Sequence, residues 1–429
     1  MTYGKRISRR TFVKASLAGA VAAGAGRSVF GGEVASPLSR PKIGEIKPLP
    51  SRAIETSPLS VGFEVLDRQR FEPEKTYPYL ANLGVKWARC QTGWNRCERE
   101  RGQFTFGWLD EIVDSLLAIG IQPWFNLGYG NKLYTPEKPD DMSVGWAPVF
   151  DEDAFEAWLR FTRRLAGHFG DRVRHWEIWN EPNITGFWKP EKPNAADYVR
   201  MLKPTVAEVR KPIPDAVIIG GAFAGIPMDY LKACLEAGMA DHVDKISYHP
   251  YRPIPEAGYD SQIAALRSLI AQYSKDIEIW QGENGCPSKG KGDSVGALSN
   301  LDWNEERQAK WLLRRILTDL RLEVELTSYF HTVDLVGYRG KTNYKGLLRG
   351  TGYTPKPSYR AYQNVCSLFD SQTTHLGSGD SPGGGESAGP QVATFARNGR
   401  AMVAYWQPAD LLKEWTPKRW RMNLRRPSE

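Results

Sequence analysis

Eight short apolar runs recur along the chain between about residues 60 and 365, and longer segments with many polar positions separate them. Runs of this kind, with nearly continuous apolar character, are typical of parallel strands that are buried on both faces. The sequence therefore predicts eight such strands, at residues 60–66, 85–91, 122–127, 173–179, 217–222, 245–248, 277–281 and 327–332.

The segments between these runs carry helical periodicity. In three of them apolar residues recur at a spacing of three and four, which places them on one face of a helix; these stripes lie at residues 109–117, 263–273 and 309–320. Strands that alternate with helices over about 300 residues predict an α/β fold, namely the (β/α)8 TIM barrel. A doubly wound open sheet is the alternative, but no G-x-G-x-x-G follows the first predicted strand.

The composition changes after Phe369. Residues 371–391 are rich in Gly, Ser and Pro and are interpreted as a flexible linker. Two short apolar runs, 392–396 and 400–406, then flank Asn398-Gly399, which is a strong signal for a β-hairpin. The expected chain thus has a barrel at 36–370, the linker, and a hairpin or partial β-domain with a basic tail at 392–429, whose completeness is left open.

The N-terminal 35 residues are interpreted as a targeting segment and its flank. Ser8-Arg9-Arg10-Thr11-Phe12 resembles a twin-arginine signal, an apolar run follows at 15–25, and Ala23-Gly24-Ala25 fits a small-residue cleavage site. A basic disordered tail is the alternative interpretation. No stretch of the sequence approaches the ~20 apolar residues of a membrane span. We therefore expect export to the periplasm or the extracellular space, with no membrane anchor after cleavage.

The net charge of +8 comes from the two ends of the chain, and the body between them is nearly neutral. This distribution argues against a nucleic-acid partner. The five cysteines are an odd number without the spacing of metal ligands, and we expect buried free thiols. Since the six histidines form no cluster with cysteine or with each other, the sequence predicts neither a metal nor a cofactor.

Two glutamates stand out because each closes a predicted strand, and barrel active sites lie at the C-terminal ends of the strands. Glu181 ends the fourth run in His-Trp-Glu-Ile-Trp-Asn-Glu-Pro-Asn, where we expect Pro182 to hold it in an extended conformation. Glu283 follows the seventh run in Gln-Gly-Glu-Asn-Gly, a turn whose glycines allow close approach of a ligand. The structural alternative is an ion pair with a barrel arginine such as Arg89 for Glu181, and a plain loop acid for Glu283.

A pair of carboxylates at one barrel mouth is what cleavage of a glycosidic bond needs. One protonates the leaving oxygen, and the other attacks or stabilises the developing oxocarbenium centre. A separation of about 5–5.5 Å would mean retention of configuration through a covalent glycosyl-enzyme. The sequence thus predicts Glu181 as the acid/base and Glu283 as the nucleophile of a hydrolase acting on a carbohydrate substrate.

At residues 58–365 the sequence resembles the clan of retaining glycosidases that carry both catalytic glutamates at the ends of strands four and seven. The pattern is most like glycoside hydrolase family 39, and family 5 is also similar. The resemblance implies that Asn180 binds the sugar hydroxyl beside the scissile bond and that Arg89 supports the nucleophile. It also implies that His249 binds substrate or tunes the acid, and that Tyr251 contacts the nucleophile. The tryptophan often found at the end of strand eight in family 5 is absent, and His331 is at most a weak substitute.

Further side chains near predicted strand ends are candidate substrate contacts, because aromatic rings stack on sugars and polar groups bind hydroxyls. Core packing is the alternative for each aromatic residue, and a buried ion pair is the alternative for Glu64. The candidates are Trp280, Trp179, Trp124, Asn131 and Glu64, with Trp94, Trp188 and Tyr129 as weaker ones. The long loops at 129–149 and 185–195 are expected to shape the cleft.

Other functions remain open on the sequence alone. A barrel that binds carbohydrate without catalysis would be expected to lack one carboxylate, whereas both are present. A metal-dependent hydrolase or an aldolase would need strand-end His and Asp ligands or a strand-end Lys, which the predicted strands do not supply. A transglycosylase would share every residue named here. The sugar, the linkage, the position of cleavage and the oligomeric state are left undetermined.

Overall fold

A computed structural model of the chain describes residues 45–135, 143–378 and 389–414. Eight parallel strands form a closed barrel in the order β1-β8-β7-β6-β5-β4-β3-β2. Their bounds are β1 Leu59–Gly62, β2 Trp87–Gln91, β3 Gln122–Leu127, β4 His175–Ile178, β5 Val217–Ala224, β6 Lys245–His249, β7 Glu278–Asn284 and β8 Leu326–Tyr329. All eight predicted strands are confirmed, with ends displaced by up to four residues, and closure of the sheet excludes the doubly wound alternative.

Helices connect successive strands on the outside of the barrel. The described residues contain α1 Tyr77–Leu83, α2 Trp94–Cys97, α3 Gly107–Ala118, α4 Glu152–Phe169, α5 Ala195–Arg210, α6 Met228–Glu236, α7 Tyr259–Ile270, α8 Glu305–Arg321 and α9 Pro357–Leu368. The three predicted stripes lie on α3, α7 and α8, but α7 ends at Ile270, so Tyr273 lies beyond it and is exposed. None of the described helices has the length and apolar character needed to cross a bilayer.

Side-chain caps mark where three of the long helices begin. Asp151 accepts a hydrogen bond from the backbone of Ala154 at the start of α4, and Asn194 and Asn304 do the same for α5 and α8. A cap of this kind satisfies backbone N–H groups that have no partner within the helix, and is worth about 1 kcal/mol. The caps thus fix where each loop from the barrel mouth ends.

The barrel interior is divided between an apolar end and a polar end. Near the N-terminal ends of the strands, Trp124, Ile219, Trp280 and Leu326 pack together, and Trp87 covers them. Trp124 and Trp280 meet edge to face with ring centroids 5.3 Å apart. At the opposite end, charged side chains replace the apolar ones. The functional residues therefore stand on a packed apolar base.

The C-terminal residues form a three-stranded antiparallel sheet of β9 Thr373–Ser378, β10 Gln391–Arg397 and β11 Arg400–Trp406. The predicted hairpin is confirmed, with Asn398 and Gly399 both at positive φ in a two-residue turn. The predicted linker at 371–391 needs correction, because residues 373–378 pair with β10. The sheet is tied to the barrel by an ion pair of Arg397 with Asp370.

Several predictions concern residues outside those described, namely the targeting segment at 1–35 and most of the basic tail. The five cysteines all lie within the described part. Each is free and buried, as predicted: Cys90, Cys97, Cys234, Cys286 and Cys366.

Candidate active site

Glu181 stands just beyond the end of β4, where the chain makes an abrupt turn. Trp179 and Glu181 both have positive φ, 70° and 49°. The prediction that Pro182 keeps Glu181 extended is therefore wrong. Such a conformation costs about 1–2 kcal/mol in a residue with a side chain, so the surrounding structure has to impose it. Backbone hydrogen bonds do so, from Trp179 to Leu127 on β3 and from Glu181 to Ala222 on β5.

Glu283 is the penultimate residue of β7, and Gly282 precedes it. A Cβ atom on Gly282 would lie only 2.2 Å from the hydroxyl oxygen of Ser247 on the neighbouring strand. The glycine thus allows β6 and β7 to pack closely beneath Glu283. The close packing of these side chains is enough to explain why residue 282 is a glycine. The close approach of a ligand that the sequence suggested for this turn is not needed to explain it.

The two glutamates meet at the mouth of the barrel. One oxygen of each carboxylate and one ring nitrogen of His249 all lie within 4.8 Å of one another. Both glutamates line a cavity of about 340 Å³, together with Asn180, His249 and Tyr251. This volume lies at the lower end of the range for small-molecule sites.

Arg89, on β2, is the centre of the charged cluster and is fully buried. Its Nη1 donates to Glu283 Oε2 at 2.8 Å and to Glu64 Oε1 at 3.2 Å. Its Nε and Nη2 donate to Glu177 Oε2 at 2.8 and 2.5 Å, and Nη2 also donates to Asn180 Oδ1 at 2.8 Å. One guanidinium therefore holds three carboxylates and an amide in fixed positions.

Three carboxylates around one cation leave an excess of negative charge, and Glu64 relieves it. Burial raises the pKa of Glu64 to about 8, and the charge of Glu283 adds to the rise while that of Arg89 opposes it. Glu64 is therefore neutral at pH 7, so the positive charge of Arg89 interacts mainly with Glu177 and Glu283. The second oxygen of Glu64 has no hydrogen-bond partner among the described residues, and the side chain lines the cavity.

Glu283 receives a second donor from the far side. Tyr251, two residues beyond β6, donates its hydroxyl to Glu283 Oε1 at 2.7 Å. Each oxygen of this carboxylate thus accepts a hydrogen bond, one from a cation and one from a phenol. The two donors thus fix the orientation of the Glu283 side chain at the mouth of the barrel.

Glu181 has different surroundings. Its Oε1 lies 2.9 Å from Nδ1 of His249. Burial raises the pKa of Glu181 to about 7, although the charges of Arg89 and Arg339 lower it. Burial likewise lowers the pKa of His249 to about 4, so this imidazole is neutral at pH 7. Glu181 therefore faces a neutral partner and holds a proton below about pH 7.

Seven of the eleven predicted site residues come together at this mouth: Glu181, Glu283, Asn180, Arg89, His249, Tyr251 and Glu64. Of the weaker candidates, Tyr129 lines the cavity, whereas Trp94 and Trp188 are buried in the core. Ile184 and Phe187 contribute the wall from the loop after β4. Part of the loop at 129–149 lies outside the described residues.

Two predicted substrate contacts, Trp124 and Trp280, belong to the apolar base of the barrel and are corrected here. Trp124 is fully buried, with its ring 5.6 Å from the guanidinium carbon of Arg89. The indole N–H of Trp280 donates to Glu325 at 2.7 Å. Both are buried in the apolar cluster with Ile219 and Leu326, and neither lines the cavity.

The other two misplaced predictions are Trp179 and Asn131. The indole of Trp179 is buried and donates to the carbonyl of Phe187 at 2.7 Å. Asn131 is buried as well, and its amide donates to the carbonyl of Glu98 at 2.8 Å. Trp179 therefore packs behind the wall of the cleft, and Asn131 shapes the loop after β3; neither lines the cavity.

Three basic side chains line the cavity without having been predicted: Arg68, Arg339 and Lys345. Lys345 is almost fully buried, its Nζ lies 5.5 Å from the centre of the Tyr251 ring, and burial lowers its pKa to about 8. These residues lie on the loops after β1 and β8, where periodicity carries no signal. His331 is buried with its ring nitrogens near the carbonyls of Val333 and Glu64, so it does not replace a strand-eight tryptophan.

The geometry of Glu181, His249 and Glu283 would also admit a metal ion, since their ligand atoms lie within 4.8 Å of one another. Arg89, however, donates to Glu283 and places a positive charge beside that position. A second cation would be repelled there. The prediction of a metal-free and cofactor-free site stays a prediction.

Comparison with known proteins agrees with this geometry. Residues 80–280 match the sequence model of Glycosyl hydrolases family 39. A β-xylosidase of Geobacillus stearothermophilus is 30% identical over 160 residues, which are 34% of this chain and 31% of the relative. A β-xylosidase of Caldicellulosiruptor saccharolyticus is 24% identical over 300 residues, which are 62% of this chain and 57% of the relative. The chain thus spans about a third to just over half the length of these curated relatives.

A solved structure shows the same fold. It is a family 39 glycoside hydrolase from the gut symbiont Bacteroides cellulosilyticus WH2, with a TM-score of 0.64 and 22% identity, covering 82% of this chain and 71% of that chain. The chain is therefore a (β/α)8-barrel protein that is similar in sequence and in fold to glycoside hydrolase family 39.

Proposed function

We propose that this chain is a retaining glycosidase that hydrolyses O-glycosidic bonds of oligo- or polysaccharides, with β-xylosides as the first candidate substrates. The observation that carries the proposal is the close pair of Glu181 and Glu283, in which one oxygen of each carboxylate lies within 4.8 Å of one oxygen of the other. Inverting enzymes need about 6.5–9.5 Å between the carboxyl groups to admit a water molecule, whereas retaining enzymes need about 5–5.5 Å. Xylosides come first because the relatives from Geobacillus stearothermophilus and Caldicellulosiruptor saccharolyticus are named β-xylosidases.

The proposed mechanism has two displacements. Glu181, which is protonated below about pH 7, gives its proton to the glycosidic oxygen while an oxygen of Glu283 attacks the anomeric carbon. The C–O bond to the leaving group breaks and a glycosyl ester of Glu283 forms. Glu181, now a carboxylate, takes a proton from water, and that water displaces Glu283 from the anomeric carbon. The sugar leaves with its original configuration.

Neighbouring residues support each step. Arg89 and Tyr251 hold the Glu283 carboxylate by one donor on each oxygen. Asn180 uses its amide oxygen to accept from Arg89, so its amide nitrogen remains to donate to the sugar hydroxyl beside the scissile bond. Glu64, with an unpartnered oxygen at the cavity wall, binds another sugar hydroxyl.

The test is a screen of the purified protein on aryl β-xyloside, glucoside, galactoside, mannoside, arabinoside and fucoside, with NMR of the first-formed anomer. We expect cleavage with retention, and no cleavage by a Glu283→Ala sample prepared in parallel, which controls for contaminating enzymes. Inversion would refute the mechanism. If neither these glycosides nor polysaccharides are cleaved, carbohydrate binding without catalysis would be favoured. Products that contain one more sugar than the substrate would identify a transglycosylase.

We also propose that the protein is exported by the twin-arginine route to the periplasm or beyond. The support is the Arg9-Arg10 pair followed by an apolar run and a small-residue cleavage pattern. Replacing both arginines with lysine should leave an uncleaved precursor in the cytoplasm of the producing cell. Unchanged export of that variant would refute the route.

A further inference from the structure

Three buried polar atoms surround the bare backbone of Gly282. A Cβ atom built there would lie 2.2 Å from Ser247 Oγ, 3.2 Å from Glu177 Oε1 and 3.5 Å from His249 Nε2. All three side chains are at most 1% exposed. Within the described part of the chain, none of these three atoms has a hydrogen-bond partner. Burying one such atom unpaired costs about 1–3 kcal/mol, so three at one point indicate a shared ligand.

The chemistry of the three atoms selects the ligand. Glu177 Oε1 is an acceptor, because the other oxygen of that carboxylate already receives Arg89 and Asn126. The Ser247 hydroxyl can donate one proton. A water molecule has two protons to give and lone pairs to accept with, and buried waters usually make about three hydrogen bonds. Such a water donates to Glu177 and to His249 Nε2 and accepts from Ser247, which satisfies all three groups.

This arrangement assigns the tautomer of His249. If Nε2 accepts from the water, the proton of the neutral ring is on Nδ1, which faces Glu181 Oε1 at 2.9 Å. An Nδ1–H donor suits both forms of Glu181, since it donates to the carboxylate and equally to the carbonyl oxygen of the acid. With the proton on Nε2, the lone pair of Nδ1 would instead face the Glu181 carboxylate after every proton transfer.

We propose that one buried water, bound by Ser247, Glu177 and His249 beside Gly282, locks His249 in its Nδ1–H form. Oε1 of Glu181 then always accepts from His249, and the acid proton is held on Oε2, where it is available to the leaving group. Ser247 and Glu177 are positioning residues in this scheme, acting through His249. The inference rests on the proposed function for its catalytic meaning, but the water and the tautomer are properties of the protein alone.

The direct test is ¹⁵N NMR of the histidine rings at pH 7, with the His249 signals assigned by their loss in His249→Gln. We expect the unmodified protein to show a neutral ring with the proton on Nδ1. A ring protonated on Nε2, or on both nitrogens, would overturn the proposal. Because this measurement uses the unmodified protein, it does not depend on any variant folding and holds whether or not glycosidase activity is found.

A kinetic test measures how the Nδ1–H form of His249 affects proton donation by Glu181. Ser247→Ala removes the only donor to the water, and we expect it to release the Nε2–H form, in which Nδ1 competes for the Glu181 proton. Hydrolysis of an alkyl glycoside, which needs that proton, should slow at least tenfold more than hydrolysis of the dinitrophenyl glycoside, which does not. Equal slowing of both substrates would mean a merely structural role and would overturn the proposal.

Ser60→Ala is the matched control. Ser60 is also a buried serine of a barrel strand, but on β1, where its hydroxyl accepts from Trp124 at 3.3 Å. We expect the control to retain the Nδ1–H ring signal and to change both substrates by the same factor. If neither substrate is cleaved by any form of the protein, the proposed function fails, whereas the ring signals still decide the inference.

Discussion

Glu181 and Glu283 lie on the same barrel rim and are almost equally buried, with side chains 11% and 15% exposed. Their hydrogen-bond partners differ completely. Glu283 accepts from a guanidinium and a phenol, whereas the hydrogen-bond partner of the Glu181 carboxylate among the described residues is the neutral ring of His249. Burial raises the pKa of Glu181 to about 7 because too little charge or donation offsets it. The two glutamates therefore differ in the chemistry of their hydrogen-bond partners more than in their depth of burial, and the roles proposed for them rest on this difference.

The difference between Glu181 and Glu283 also depends on the distance between their carboxyl groups. Each carboxylate disfavours ionisation of the other at a few ångströms, so two equal sites would share one proton. Arg89 removes that symmetry, because its Nη1 contacts Glu283 and its Nη2 contacts the amide of Asn180. Two neighbouring carboxyl groups in different environments, one of them with a raised pKa, are the usual arrangement of a general acid beside a nucleophile.

The largest expected effect on activity comes from removing the Glu283 carboxylate. Glu283→Ala removes the group that attacks the anomeric carbon, so we expect turnover of aryl glycosides to fall by about 10⁴-fold or more. Azide added to this variant should restore cleavage by taking the vacated position, and the product should have the opposite anomeric configuration. Initial rates and NMR of the azide product provide the measurement. Near-normal activity in Glu283→Ala would remove it from the role of nucleophile.

A smaller and more selective loss is expected when the proton donor is replaced. Glu181→Gln should slow hydrolysis of alkyl glycosides by about 10²–10⁴-fold, since general acid catalysis contributes about this much. Dinitrophenyl glycosides, whose leaving groups need no proton, should form the glycosyl-enzyme at a rate close to that of the unmodified protein.

The pH profile adds a second measurement on the same variant. For the unmodified protein, kcat/KM should fall as pH rises through about 7, because Glu181 loses its proton there. Glutamine does not titrate, so the fall near pH 7 should disappear in Glu181→Gln. Persistence of that fall would assign it to another group, for which Lys345 and Glu64, each with a pKa of about 8, are the candidates.

Sequence patterns were sufficient for the fold and for the position of the two glutamates, because both follow from strand position. Strands buried on both faces appear as apolar runs, and parallel closure brings their ends to one rim, which pointed to Glu181 and Glu283. Arg89, His249 and Tyr251 were expected there only because the sequence resembles a family of retaining glycosidases. The dependence on apolar runs also explains why three tryptophans were wrongly expected to contact the substrate. In a run that is apolar on both faces, periodicity does not say whether Trp124, Trp179 or Trp280 points to the mouth, the base or the outside.

Backbone detail and loop contributions were beyond prediction from local pattern. Pro182 favours an extended Glu181 as an isolated dipeptide, but hydrogen bonds to two neighbouring strands impose φ of 49°. Lys345 comes to the cavity from a loop that follows β8 by sixteen residues, a contact that only the closed tertiary structure creates.

The smallest expected effect is on stability, and it should have opposite signs for the two glutamates. Burial raises the pKa of Glu181 from its ordinary value of 4.5 to about 7 in the folded protein. The folded state therefore holds a proton that the unfolded chain gives up between these pH values, and the contribution of Glu181 to the free energy of unfolding falls as pH rises through this window. Glutamine is never charged. Above pH 7, Glu181→Gln should thus raise the free energy of unfolding by up to about 3 kcal/mol, and below pH 4.5 this difference should vanish.

Glu283→Gln should have the reverse effect at pH 8. It deprives Arg89 of a charged acceptor, and loss of a hydrogen bond to a charged group costs about 1.5–3 kcal/mol. Urea unfolding of both variants at pH 4.5 and pH 8 measures the two signs with one method. Destabilisation by Glu181→Gln at pH 8 would show that the folded protein stabilises the Glu181 carboxylate, and the two glutamates would then no longer differ in the way that their roles require.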